Sequence, residues 1–365
     1  MLAMALFTRP GGAAAELIRT LETYGVEPDL RQRLGDYLLG APERELLRFN
    51  PAHLAARIGL PRRQGLVVLA AALQAGLIDL NWEVQCPSCK AQSVAFGHLR
   101  EAQTQYRCEG CRLDYAGHLD EEVQVTFSVS QRLRPLSLAA DDEAWREQIN
   151  LEHPPVSSHE LLTIQRFRDL FVNEPLPEGE SFQVKWMALM FTDLGGSTGI
   201  YARKGDPRAY GLVREHFHLV FEAVAEAGGA VVKTIGDAVM AVFPTSSLAV
   251  QAALASQEAV ERFNQERGLG PDERLLLKVG LHAGPTLAVT LNDRLDYFGT
   301  NVNAAARVQA LAQNRETVLT RQVLDDPGVR ELVPAAPAGE TLTLRGLDDQ
   351  PFEVFRLGSE AVAHG

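Results

Sequence analysis

All four cysteines of the 365-residue chain fall in one short segment, as Cys86-x2-Cys89 and Cys108-x2-Cys111 with eighteen residues between the pairs. A disulfide framework in a chain this long would be spread more widely, so the clustering points to a reducing compartment. Each CxxC forms a knuckle that aims two sulfurs at one tetrahedral centre, and the spacing is that of a four-thiolate zinc ribbon. Such a site is closed to substrate, so one structural zinc per chain is expected, supplying folding free energy to a segment with few apolar residues. A redox-active thiol pair is the competing reading, and no neighbouring helix-strand pattern of thioredoxin type supports it.

Residues 13–80 read as helices, with apolar side chains at three- and four-residue spacing in AAAELIRTLETYG, DLRQRLGDYLLG, PAHLAARIGL and PRRQGLVVLAAALQAG. The last two meet at Gly59 to Pro61, and LAARIGLPRRQGLVVLAAALQAGLIDL resembles a helix-turn-helix running into a strand, as in winged-helix domains. Arg62 and Arg63 begin the second of these helices, where they could meet DNA phosphates or stand in solvent. The net charge of −12 requires no large basic face, which makes DNA the less favoured partner. After the cysteines come a strand, VQVTFSVS, and a polar stretch over 131–156. A helix is expected from about Ser158, with Ser157 and Glu160 as a capping box and Leu161, Ile164, Phe167 and Phe171 along one face.

From Val184 the pattern changes to strands alternating with helices. The strands are VKWMALMF, AVVKTI, AVMAVF, LLLKVGLHA, TLAVTL and FEVF; the helices are RAYGLVREHFHLVFEAVAEA, SSLAVQAALASQEAVERFNQ and NVNAAARVQALA. The expected division is 1–84 winged-helix-like, 85–130 zinc ribbon and strand, 131–183 linker and amphipathic helix, 184–357 a catalytic domain, and 358–365 a tail. The longest apolar stretch, Gly65 to Leu80, contains Gln74 and Asp79 and is too short for a bilayer. The start, MLAMALFTRPGG, has neither a basic segment before its apolar residues nor a cleavage site, so a cytoplasmic chain without a membrane partner is expected.

Two acidic positions stand out in the second half. Asp193, in MFTDLGGST, ends an apolar strand, and Asp237, in KTIGDAVMAVF, sits between two short strands. Two carboxylates facing one cavity can hold a pair of magnesium or manganese ions. Gly195, Gly196, Ser197 and Thr198 follow Asp193 at an expected helix start, where free backbone N–H groups suit phosphate oxygens. Arg307 lies four residues after Asn303, so both share one helix face.

FTDLGGST, KTIGDAVMAVF, VGLHAG and DYFGTNVNAAAR, in that order, resemble the class III adenylyl and guanylyl cyclases over roughly residues 184–357. The resemblance implies an α+β fold, a ferredoxin-like domain derived from βαββαβ with a mixed, mainly antiparallel sheet. It implies two Mg or Mn ions on Asp193 and Asp237, a purine-reading pair in Lys233 and Asp296, and Asn303 with Arg307 on the ribose and the reacting phosphate. It further implies a homodimer in which one subunit gives the metal aspartates and the other the base readers, asparagine and arginine. A lysine donor and an aspartate acceptor complement adenine and oppose guanine, so ATP is the expected substrate and cyclic AMP the product. Use of GTP or a pyrimidine nucleotide, and a catalytically silent nucleotide-binding regulator, are the alternatives. Arg345 aligns loosely with a basic residue near the triphosphate, and His282 reads as a packed strand histidine. The N-terminal half is similar to regulatory modules that precede bacterial cyclase domains; its ligand or protein partner is not specified by the sequence.

Overall fold

The computed structural model describes residues 12–170, 175–196, 206–292, 294–333 and 338–358, with the side chains at 93, 170, 206–209 and 348–350 excepted. Contacts divide the chain into two units, residues 1–162 with 166–180, and residues 163–165 with 181–365.

In the first unit, helices α1 (Gly12–Arg19), α2 (Pro28–Gly40), α3 (Pro51–Arg57) and α4 (Arg62–Gln74) precede the first strand. Asn50 caps α3, its side chain accepting from the N–H groups of Ala52 and His53. The turn between α3 and α4 closes on Gly59 at φ 73°, a conformation that glycine enters without steric cost. A Cβ on Gly65 would lie 2.2 Å from that of Ala55, so the two helices meet where one lacks a side chain. The expected helix-turn-helix and following strand are therefore present, the strand being β1 (Ile78–Gln85).

The main sheet of this unit is extended by β2 (Gln92–Phe96) and, beyond the short separate hairpin β3 (Gln105–Arg107) with β4 (Asp114–Ala116), by β5 (Val123–Val129). The stretch 131–156, read only as polar, contains helix α5 (Glu143–Glu152) and ends in β6 (Val156–Ser157), giving the sheet order β2-β1-β5-β6. Its helix is N-capped by Asp142, which accepts from the Trp145 N–H. The single helix expected from Ser158 is two, α6 (Ser158–Leu162) and α7 (Gln165–Leu170), and Phe171 lies outside the described residues. Of the expected capping box, the Ser157 hydroxyl accepts from the Glu160 N–H, but the Glu160 carboxylate goes instead to Arg62.

The second unit runs β7 (Ser181–Leu194), α8 (Asp206–Glu226), β8 (Ala230–Ile235), β9 (Ala238–Phe243), α9 (Ser246–Glu266) and β10 (Leu277–Leu291). These six are a βαββαβ unit with strand order β10-β7-β9-β8. LLLKVGLHA and TLAVTL, expected as two strands, are one, β10, with an irregularity of register between Gly284 and Thr286. The chain continues through β11 (Arg294–Phe298), α10 (Thr300–Leu311), β12 (Glu316–Thr320), α11 (Arg321–Leu324), α12 (Pro327–Leu332), β13 (Glu340–Leu344) and β14 (Leu347–Leu357). Every described pairing in this eight-stranded sheet is antiparallel except β10 with β12.

Strand alternation sorts this unit into two cores. Ala188, Met190, Leu194, Val239, Ala241, Leu277, Val279 and Leu319 pack with Val213, Val220 and Val224 of α8 and with α9. Val318 and Val354, each next in sequence to a residue of the larger core, turn the other way and pack with Ala304 and Val308 of α10. Helices α8 and α9 thus cover one face and α10 the other. No helix among the described residues is long and apolar enough to cross a membrane.

Candidate active site and cysteine cluster

Asp193 lies between Thr192 and Leu194, whose side chains are buried, so it turns to the α10 face at the end of β7. Asp237 sits at the β8–β9 turn, after Gly236 at φ 65°. Because Thr192 pairs with Val239, the register brings the turn alongside the end of β7. Burial, and then the Asp237 carboxylate, push the Asp193 pKa up, while Lys278 opposes them. Lys278 is directly opposite Asp193 on β10, with Nζ 3.9 Å from Asp193 Oδ2. Asp237 Oδ2 is buried and has no hydrogen-bond partner. A buried anionic oxygen without a donor suits a cation, so these two aspartates fit a divalent ion by charge and by chemistry.

Lys233 and Asp296 are 63 positions apart in sequence and in direct contact, Nζ to Oδ2 2.6 Å. Asp296 is 6% exposed, and its Oδ1 accepts from the Tyr297 N–H. The Phe298 ring centroid is 5.5 Å from the same ammonium, which adds a cation–π contact. The spacing argument for Asn303 and Arg307 is met: both are exposed, on α10, while Ala304, Ala305 and Val308 face the core.

Two features fix α10. A Cβ on Gly280 would lie 2.2 Å from Gln309 N and 2.3 Å from its Cα, so the helix rests against bare strand backbone. His282, 1% exposed, has Nε2 2.8 Å from Asn301 Oδ1 and Nδ1 3.0 Å from Thr320 Oγ1. An amide oxygen only accepts, so Nε2 carries the proton and Nδ1 takes one from the threonine hydroxyl. Asn301 in turn donates to Pro285 O at 2.7 Å, which ties the first turn of α10 to β10. The packed strand histidine is thus a brace for the helix that bears Asn303 and Arg307.

The glycine segment differs from its sequence reading. The Gly195 N–H already donates to Leu276 O at 2.7 Å, and a Cβ there would strike Asn314, so this glycine serves close packing and offers no free donor. Gly196 has φ 74° and is exposed. Ser197, Thr198 and the helix start expected there lie outside the described residues. Arg345 is exposed.

In the first unit the two CxxC pairs form matching knuckles. The Cys86 N–H donates to Ala91 O and the Lys90 N–H to Cys86 O; the Cys108 N–H donates to Leu113 O and the Arg112 N–H to Cys108 O. Lys90 (φ 61°) and Arg112 (φ 60°) turn left-handed at equivalent positions after the second cysteine of each pair. Cys86 and Cys111 sulfurs are 3.6 Å apart, Cys89 and Cys108 3.5 Å, and all four lie within 4.8 Å of one another. The Cys111 N–H, first among several contributions, draws the Cys108 thiol down to about 6. Four sulfurs converging from two knuckles could hold one metal ion.

Residues 180–327 match the family described as the adenylate and guanylate cyclase catalytic domain. The second unit carries a class III cyclase domain. Residues 13–148 match a family of unknown function (DUF5939). An adenylate cyclase of Anabaena cylindrica is 28% identical over 159 residues, 39% of this chain and 32% of that protein. One of Glutamicibacter nicotianae is 32% identical over 171 residues, 46% of this chain and 38% of that protein. The chain therefore spans well under half the length of these relatives. Among solved structures, the adenylyl cyclase CyaB from P. aeruginosa is 18% identical with a TM-score of 0.40, covering 48% of this chain and 95% of that one. The catalytic core of a rhodopsin-guanylyl cyclase, in complex with ATPαS, is 20% identical with a TM-score of 0.43, covering 48% and 98%.

Within this cyclase domain the structure brings together Asp193 with Asp237, and Lys233 with Asp296. The sequence reading omitted Lys278, whose partnership follows from the β7–β10 register. It also left Arg62 open to DNA. The Arg62 guanidinium bonds Glu160 twice, Nε to Oε1 at 2.8 Å and a terminal nitrogen to Oε2 at 2.6 Å, and donates to the carbonyls of Pro154 and Pro155. Burial lowers the Arg63 pKa to about 10. The Arg62 guanidinium is thus engaged by Glu160 and two carbonyls, and Arg63 Nε is buried, so the less favoured DNA reading gains no support from either side chain.

Proposed function

We propose that the chain is an adenylate cyclase that works as a homodimer, converting ATP to 3′,5′-cyclic AMP and pyrophosphate. The observation that carries this is the approach of Asp193 to Asp237 around a buried carboxylate oxygen that has no donor. Two magnesium or manganese ions held there would neutralise the triphosphate and activate the attacking oxygen.

The chain's own groups divide the remaining work. The Lys233 ammonium donates to a ring nitrogen of adenine and the Asp296 carboxylate accepts from its exocyclic amine; guanine reverses that pattern. Asn303 orients the ribose. Its 3′-oxygen bonds to the α-phosphorus as the bond to the bridging oxygen breaks, pyrophosphate leaves with the electron pair, and the hydroxyl proton passes to solvent. Negative charge grows on the equatorial oxygens, where the Arg307 fork contributes about 3–4 kcal/mol of transition-state stabilisation.

The homodimer is supported by what the domain leaves uncovered. Ile235 is 54% exposed at the end of β8, which carries Lys233, Phe298 is 42% exposed at the end of β11, which carries Asp296, and Leu291 is 46% exposed at the end of β10 that pairs with β11. We assign one structural zinc to the four cysteines and a regulatory role to the first unit. Incubating the purified protein with ATP, GTP, CTP or UTP and manganese tests the reading: cyclic AMP is the expected main product. A different cyclic nucleotide would refute the base assignment, and no product would refute the activity.

A further inference from the structure

His216, in α8, is fully buried, and neither ring nitrogen has a well-aligned hydrogen bond, the Val213 backbone one turn earlier being the polar main-chain group that acts on the ring. Buried polar side chains are nearly always bonded, so an imidazole idle at both nitrogens needs a reason. The flanking Val213 and Val220 belong to the core between α8 and the sheet, which turns His216 toward the strands. Helix α8 packs on β8 and β9, the hairpin whose turn carries Asp237. Asp237 acts electrostatically on the ring, and its Oδ2 is buried without a partner, as is the Thr192 hydroxyl beside Asp193. An orphaned imidazole on the helix and an orphaned carboxylate oxygen at the hairpin turn thus lie on elements that pack together.

We propose that His216 is a positioning residue for Asp237: its ring N–H bonds the carboxylate when a cation draws that side chain into place. The proposal rests on reading Asp193 and Asp237 as cation holders. An imidazole carries a donor of fixed direction, and the terminal torsion of aspartate is soft, so a small rotation closes the bond. A donor behind a coordinating carboxylate fixes its orientation, and losing such a partner typically weakens metal binding by about 10- to 100-fold.

The test uses the full chain and manganese without nucleotide, with free Mn²⁺ followed by electron paramagnetic resonance. His216→Leu is expected to weaken manganese binding about 10- to 100-fold, His216→Asn to recover part of the loss, and His216→Leu to add little once Asp237→Asn is present. Unchanged affinity in a folded His216→Leu protein, or losses that simply add, would overturn the proposal. A second measurement serves if the leucine variant does not fold. Adding magnesium to histidine-labelled wild type should produce a hydrogen-bonded imidazole N–H resonance that Asp237→Asn abolishes, and its absence overturns the idea. Manganese binding that Asp237→Asn leaves intact would instead sink the cation reading, and the histidine's role with it.

Discussion

The Lys233 ammonium and the Asp296 carboxylate are bonded to each other, at 2.6 Å, within one chain. Asp296 is held from its second oxygen by the Tyr297 N–H, so the pair has a set orientation before any base arrives. On the proposed reading, adenine would have to open or share this contact, and the affinity for base would be the difference between two polar arrangements.

Asp296→Asn keeps the shape but adds a donor where only an acceptor stood. The preference for ATP over GTP in kcat/KM is expected to fall at least about tenfold, out of the roughly ten-thousand-fold that hydrogen-bond mismatch can supply. Steady-state rates with both nucleotides check this, and an unchanged ratio would remove Asp296 from base selection.

Chains with Asp237→Ala and chains with Arg307→Ala should each be inactive, while mixed dimers should recover one working site of the two in a homodimer. Activity after co-refolding, with heterodimers verified by differential tagging, is the measurement. Failure to complement would count against a site shared between subunits.

Elemental analysis should find one zinc per chain, and Cys108→Ser should abolish it. Chelation is expected to unfold the knuckle segment 86–111, read as loss of amide protection there, because the bound ion supplies folding free energy.

Burial, with Arg168 and Arg63 adding, lowers His159 to about 3 from an ordinary 6.5. The unfolded chain binds the proton more readily between those values, so this contribution to stability is complete above about pH 6.5 and drains away as pH falls toward 3. His159→Phe should flatten the acid limb of the urea midpoint against pH. An unaltered limb would show that His159 is not what charges on acid unfolding.

Arg62→Ala should destabilise the first unit by about 1–3 kcal/mol in urea, through loss of charge-assisted bonds to a partly buried carboxylate. Duplex DNA should show no salt-dependent shift with the wild-type protein.

Much of the cyclase domain was legible because its signals are local. A strand ending in aspartate, a hairpin with Gly-Asp at its turn and an Asn303-to-Arg307 helix face each follow from spacing, and the sheet only had to bring the two aspartates together. What was not legible depends on partners far away in sequence. Nothing near Arg62 announces Glu160, and nothing near His216 announces Asp237. The helix expected to run through Ile164 breaks there, although Ile164 and Phe167 are both buried, because a 3.6-residue pattern records burial and not continuity. The β10 strand looked like two because Pro285 interrupts its register, and Gly195 looked like a phosphate donor because its bond to Leu276 is invisible in sequence.

At Gly280 a single hydrogen atom serves as the spacer between strand and helix, and it sets how far the α10 guanidinium stands above the sheet. A methyl group there cannot be absorbed by a rotamer change, since what it meets is main chain. Gly280→Ala would lift the whole helical platform, so mutational searches over the exposed face of this helix have room at positions 303 and 307 and none at the floor beneath them.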